Sequence, residues 1–75
     1  MPLSMLTAGQ RGRVTEIRGG HGLRRRLTSM GMHAGAEVTM VDGSGSGGPV
    51  IIAVGESRFG IGRGMAHHVI VEPLD

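Results

Sequence analysis

The sequence predicts an all-β fold, a small β-barrel of five short strands with one short α-helix between strands 1 and 2. Glycine makes up 15 of the 75 residues, well above the usual share of about 7%. These glycines fall between short apolar runs, as expected for strands joined by tight turns in which glycine supplies a positive φ. A chain of this length has room for one small domain, so residues 1–75 are predicted to form a single unit.

The first predicted strand is the stretch "RGRVTEIR", Arg11–Arg18. Its apolar residues, Val14 and Ile17, are three positions apart, whereas strict alternation in a strand requires an even spacing. An extra residue in one strand of a pair produces this shift. The spacing therefore predicts a β-bulge between these two residues.

The predicted helix lies in "GLRRRLTSMGM", where Leu23, Leu27 and Met30 recur at i, i+4 and i+7. This spacing places them in one stripe along a helix. Gly31 then stands at the first position beyond the helix, where a left-handed residue is favoured, and Met32 follows it. In a Schellman cap the residue at the position of Met32 packs against the position of Leu27. The sequence thus predicts both the helix and its end.

Four further segments have the length and pattern of strands or turns. "AEVTMVD" (Ala36–Asp42) alternates apolar and polar residues, as a half-buried strand does. "PVIIAV" (Pro49–Val54) is apolar on both faces, which predicts a central position in the sheet. "SRFGI" (Ser57–Ile61) and "HVIVE" (His68–Glu72) complete the five strands, and "GMAHH" (Gly64–His68) is predicted to form a short turn.

The loop "GSGSGG", residues 43–48, matches the G-x-G-x-x-G pattern of dinucleotide-binding loops. That pattern works because the loop delivers a pyrophosphate to the N-terminus of the helix that follows. Here Pro49 and a β-branched run follow, which predict a strand. A phosphate-binding P-loop would need a lysine, and the chain contains none. We therefore interpret this segment as a hairpin loop.

The ionisable residues do not form a recognisable catalytic pattern. The six carboxylates are scattered along the chain, and no base is evident near Ser29 or Ser57. The absence of cysteine excludes disulfides and thiolate metal sites and fits a reducing cytoplasm. The N-terminus does not resemble a signal peptide, and no apolar run is long enough to cross a bilayer. A soluble protein without enzymatic activity is predicted.

Histidines are the remaining candidates for metal ligands. None of the four belongs to an H-E-x-x-H motif or a similar pair on one helical face. They are interpreted first as surface residues, and weak transition-metal binding is the alternative. The weak candidates are His33, His67 and His68, and no cofactor is predicted.

Three consecutive arginines, Arg24–Arg26, accompany the apolar stripe of the predicted helix. One interpretation is a solvated outer face with stems packed over neighbouring residues. The other is a partner-binding edge, because arginine and methionine are both enriched in interface cores. Nucleic-acid binding is disfavoured, because Phe59 is the only aromatic residue and six acidic residues nearly balance eight arginines.

The sequence as a whole resembles the ferrous-iron transport protein A (FeoA) family. The most specific element is "LRRRLTSMGMHAGAEVTMV", which is similar to the family's helix, its glycine step and the alternating strand that follows. The opening "PLSML" and the closing pattern from Ala66 to Ile70 and Val71 are similar as well. The resemblance extends over nearly the entire chain.

The resemblance implies an SH3-like barrel in the bacterial cytoplasm. Such proteins are accessory or regulatory partners of FeoB, a membrane-embedded GTPase that moves ferrous iron inward. A metal-responsive module, as in the C-terminal domains of iron-dependent repressors, is the alternative implied. Carried over by position, the partner-binding residues are Arg26, Leu27, Met30, Gly31 and Met32. Direct membrane insertion is not expected, and both a monomer and a homo-oligomer are compatible with the sequence.

Overall fold

The computed structural model describes residues 1–43 and 47–74. These residues form five strands, two α-helices and one N-terminal 3-10 turn. Their bounds are β1 (Arg11–Ile17), α1 (His21–Ser29), β2 (Glu37–Asp42), β3 (Val50–Val54), β4 (Ser57–Ile61), α2 (Arg63–His67), β5 (Val69–Leu74) and the 3-10 turn (Leu3–Met5). The predicted fold class is confirmed, with α1 between β1 and β2.

The five strands form one antiparallel sheet in the order β4-β3-β2-β1-β5. Each strand contributes to a single hydrophobic cluster, including Val14, Met40, Ile52, Ile61 and Val71. Because the edge strands share one core with the middle strands, the sheet curves around that core as a small barrel does. Among the described residues no ladder joins β4 to β5, and α2 connects them and contributes to the same core.

The predicted bulge lies in β1, where the pairing with β5 shifts register between Val14 and Glu16. Val14 pairs with Val71 and Glu16 pairs with Ile70, so one extra residue, Thr15, stands between them. The hydroxyl of Thr15 donates a hydrogen bond to the carbonyl of Ile70 at 3.2 Å. The bulge leaves Thr15 and Glu16 both exposed.

Helix α1 ends in the Schellman cap that the sequence predicts. Gly31 has a φ of +91°, and its N–H donates to the carbonyl of Thr28 at 2.9 Å. The N–H of Met32 donates to the carbonyl of Leu27 at 3.0 Å. Together these bonds satisfy carbonyl groups that the end of a helix leaves without intrahelical donors. The cap therefore fixes the direction in which the chain leaves α1.

Most other element predictions are confirmed, with ends that differ by one or two residues. β3 lies inside the sheet between β2 and β4, whereas the middle position belongs to β2. The predicted turn at Gly64–His68 forms α2. The loop at 43–48 connects the antiparallel neighbours β2 and β3, as a hairpin requires, and its residues 44–46 lie outside the described residues. The 3-10 turn, which buries Leu3, was not predicted.

Candidate partner-binding site

The five predicted partner-binding residues fall into two groups in the structure. Leu27 and Met32 are 0% exposed and belong to the hydrophobic core, so their side chains offer no contact area to a partner. Arg26 is exposed, and Met30 and Gly31 are half-buried. These last three residues are termed the helix-exit surface. The role of the five residues in partner binding stays a prediction. Of the five, only the three residues of the helix-exit surface are accessible to a partner.

The C-terminal cap of α1 fixes the backbone that carries the helix-exit surface. Met30 is the C-cap residue of α1, and its side chain packs against the core. The hydroxyl of Ser29 donates to the carbonyl of Arg26 at 2.7 Å. Arg26 stands in the last turn of α1, where a positive charge interacts favourably with the negative end of the helix dipole. The surface thus combines one guanidinium group with partly exposed apolar area on a fixed turn.

A second surface feature lies beside α1, and the sequence alone did not indicate it. One cavity of about 370 Å³ is lined by residues of β1, α1 and the following loop, including Thr15, Arg24, Thr28 and His33. A second, shallower depression of about 470 Å³ is lined entirely by α1 residues: His21, Arg24, Arg25, Thr28 and Ser29. The two depressions share Arg24 and Thr28. We term the two together the arginine groove.

The three weak metal candidates lie at the surface, and the Nδ1 atom of each lies within hydrogen-bonding distance of another residue. The Nδ1 atoms of His33 and His68 donate to the carbonyls of Ala34 (3.1 Å) and Gly64 (2.8 Å). The Nδ1 atom of His67 is 3.2 Å from the Ser4 hydroxyl. Over residues 1–43 and 47–74, no group of three or more histidine, aspartate or glutamate side chains is placed to hold a metal ion. In His33 and His68 the Nδ1–H is used in these bonds, so Nε2 is the ring nitrogen that could accept a metal ion.

The interior of the described part is an apolar core without a buried polar or charged side chain. Its thirteen buried hydrophobic residues come from every strand, both helices, the 3-10 turn and the connecting segments. No helix there is long and apolar enough to cross a membrane. The polar and charged side chains of the described part, which could recognise another molecule, therefore lie at its surface.

Comparison with known proteins assigns the chain to a family. The sequence profile of the FeoA domain matches residues 1–73. The chain belongs to the FeoA family. A Fe(2+) transport protein A of Methanocaldococcus jannaschii is 37% identical over 74 residues, which cover 99% of this chain and 88% of that protein. The predicted family resemblance is confirmed.

Solved FeoA structures share the fold. A crystal structure of an iron uptake regulatory protein (FeoA) superposes with a TM-score of 0.92 at 44% identity, covering 99% of this chain and 97% of that one. The zinc complex of Stenotrophomonas maltophilia FeoA, described as an SH3 domain protein, has a TM-score of 0.86 at 33% identity, with coverage of 96% and 89%. The SH3-like character expected of this FeoA-family chain is thus supported by a relative that is itself described in those terms.

The same fold also occurs in metal-dependent repressors, as the resemblance implied. A manganese-dependent transcriptional repressor superposes with a TM-score of 0.89 at 19% identity, covering 97% of this FeoA-family chain and 40% of the repressor. At this level of identity the likeness concerns the fold alone.

Proposed function

We propose that this chain is a cytoplasmic accessory protein of ferrous iron uptake that acts by binding a membrane GTPase transporter of the FeoB type. Residues 1–75 act as one domain, without enzymatic activity of their own. The function requires no resident metal or cofactor. Iron is the cargo of the transporter, and the role of this chain is contact with that transporter.

The observation that carries the proposal is membership of the FeoA family, through the match over residues 1–73. The relative from Methanocaldococcus jannaschii is assigned to Fe(2+) transport. For the Stenotrophomonas maltophilia protein, a role as a ferrous iron transport activating factor has been suggested. Both descriptions fit a chain that serves a transporter, and neither describes catalysis.

The physical character of the chain supports an adaptor. The described part packs its apolar residues into one core and buries no polar or charged side chain, so the interior offers nothing for acid–base or nucleophilic chemistry. The helix-exit surface offers Arg26 and Met30 beside the cap at Gly31. Arginine and methionine are residue types that interface cores favour. We infer that this surface contacts the cytosolic GTPase part of the transporter.

Binding of the chain to the purified cytosolic GTPase domain, measured by interferometry, tests the function. Arg26→Glu and Met30→Gln should each weaken binding, because the first reverses a charge and the second removes apolar contact area. Arg58→Glu is the matched control for the charge change, since Arg58 is exposed on the edge strand β4 and pairs with Ala53 of β3. Circular dichroism must show that all variants are folded. If the unmodified chain does not bind the domain, the proposed function is wrong.

A further inference from the structure

Arg24 of the arginine groove and Arg26 of the helix-exit surface lie on opposite sides of α1, while Ser29, at the end of the groove, adjoins Arg26. Successive residues of an α-helix are about 100° apart, so Arg24 and Arg26 point about 160° away from each other around the axis. Arg24 lies with Thr28 in the groove, whereas Arg26 lies beside Met30. A partner that contacts Arg26 and Met30 therefore leaves Arg24 uncovered unless it reaches around the helix.

The groove carries positive charge that the described part of the protein does not neutralise. Neither Arg24 nor Arg25 forms a salt bridge there. The one carboxylate that lines the groove, Glu16, is already 3.7 Å from the guanidinium of Arg18. The first turn of α1 contains no acidic residue. Two guanidinium groups are thus available to an anionic ligand that comes from outside.

The shape and chemistry of the groove favour carboxylates on an extended segment. Its two open depressions, of about 370 and 470 Å³, meet at Arg24 and Thr28, so side chains spaced along an extended chain can contact both. A guanidinium group binds a carboxylate through two parallel hydrogen bonds. The hydroxyl of Thr28 can act as an additional donor.

Two other anionic surfaces fit less well. A helix that lies on a membrane inserts large apolar residues, whereas Ile17 and Ala34 are the apolar residues that line the groove, and Ile17 is the larger of the two. Single-stranded nucleic acids need aromatic side chains for stacking, and the sole aromatic residue, Phe59, is half-buried on β4.

We propose that the arginine groove binds an acidic segment, a run of aspartate or glutamate residues, on the same transporter. This inference rests on the proposed function and adds a second contact, centred on Arg24 and Arg25, next to the helix-exit surface. Because the contact is between exposed charges, it increases the association rate and is screened by salt.

The experiment measures the affinity of the chain for the cytosolic GTPase domain at low and at high sodium chloride. Arg24→Glu and Arg25→Glu should each weaken binding by about five- to tenfold at low salt, since each loses an attraction and adds a repulsion. Arg24→Lys should recover part of the loss, because it restores the charge without the guanidinium fork. The matched control Arg58→Glu makes the same charge change at a residue that does not line the groove and should have little effect.

Two further measurements, a peptide competition and a vesicle-binding assay, identify the class of ligand. A polyglutamate peptide should displace the unmodified chain from the GTPase domain, and phosphatidylserine-containing vesicles should retain no more of the chain than of Arg24→Glu. Failure of the peptide to compete, retention that depends on Arg24, or equal effects of Arg24→Glu and Arg58→Glu would overturn the proposal while the function stands. Absence of any binding by the unmodified chain is a different result, because it refutes the function itself.

Discussion

Replacing Gly31 with alanine should destabilise the protein for two separable reasons. Its φ of +91° lies in the left-handed region, where a residue with a Cβ costs about 1–2 kcal/mol. A Cβ at this position would also lie 3.1 Å from Cγ1 of Val54. Overpacking costs about 1–3 kcal/mol, and the half-buried Val54 places this site at the lower end. The expected loss in the free energy of unfolding is therefore about 2–3 kcal/mol.

Gly35 provides a matched control, because its φ of +92° is nearly the same and an added Cβ would meet no atom within 4 Å. Gly35→Ala should incur only the backbone cost of about 1–2 kcal/mol. Urea unfolding followed by circular dichroism gives both values, and the difference of about 1 kcal/mol corresponds to about 4–8 °C in Tm. In a Val54→Ala background the two glycine variants should become equal. A Gly31→Ala loss no larger than that of Gly35→Ala would refute this account of the cap.

Three further predictions concern stability and use the same unfolding assay. Gly22→Ala should raise the free energy of unfolding by about 0.5 kcal/mol, because a Cβ there meets nothing within 4 Å and alanine favours the helix; a loss would contradict this. Leu27→Ala should cost about 2–5 kcal/mol and Met30→Ala clearly less, because Leu27 is 0% exposed and Met30 is half-buried. Glu37→Gln removes a 2.6 Å salt bridge with Arg11 between half-exposed side chains and should cost less than about 1 kcal/mol, with a smaller effect in high salt.

The elements that the sequence predicts well are those set by local rules. The end of α1 depends on a glycine at one position and an apolar residue after it, and both hydrogen bonds of the cap form as expected at Gly31 and Met32. The bulge in β1 follows from the odd spacing of Val14 and Ile17, and the register shifts at that point. Each of these features is encoded within a few neighbouring residues.

The burial of Leu27 and Met32 could also be predicted from the sequence. The resemblance to the FeoA family, in contrast, suggested these two residues as partner contacts. A Schellman cap packs these two positions against each other, which directs both side chains inward at the side of the helix that faces the sheet. The arginine groove could not be predicted from such a local pattern. It joins residues of β1, α1 and the loop at His33, and their proximity depends on how α1 packs on the sheet, which no local pattern in the sequence specifies.

Stability and recognition are carried by different faces of α1, and this separation makes binding variants interpretable. The inner face holds Leu27 in the core, and the cap at Gly31 fixes the exit of the chain. On the outer face, Arg24 and Arg25 form no salt bridge within the described residues. Reversing the charge of either residue therefore breaks no internal ion pair. If Arg24→Glu loses partner binding while its unfolding midpoint is unchanged, the loss therefore reflects a missing surface contact and not a destabilised fold.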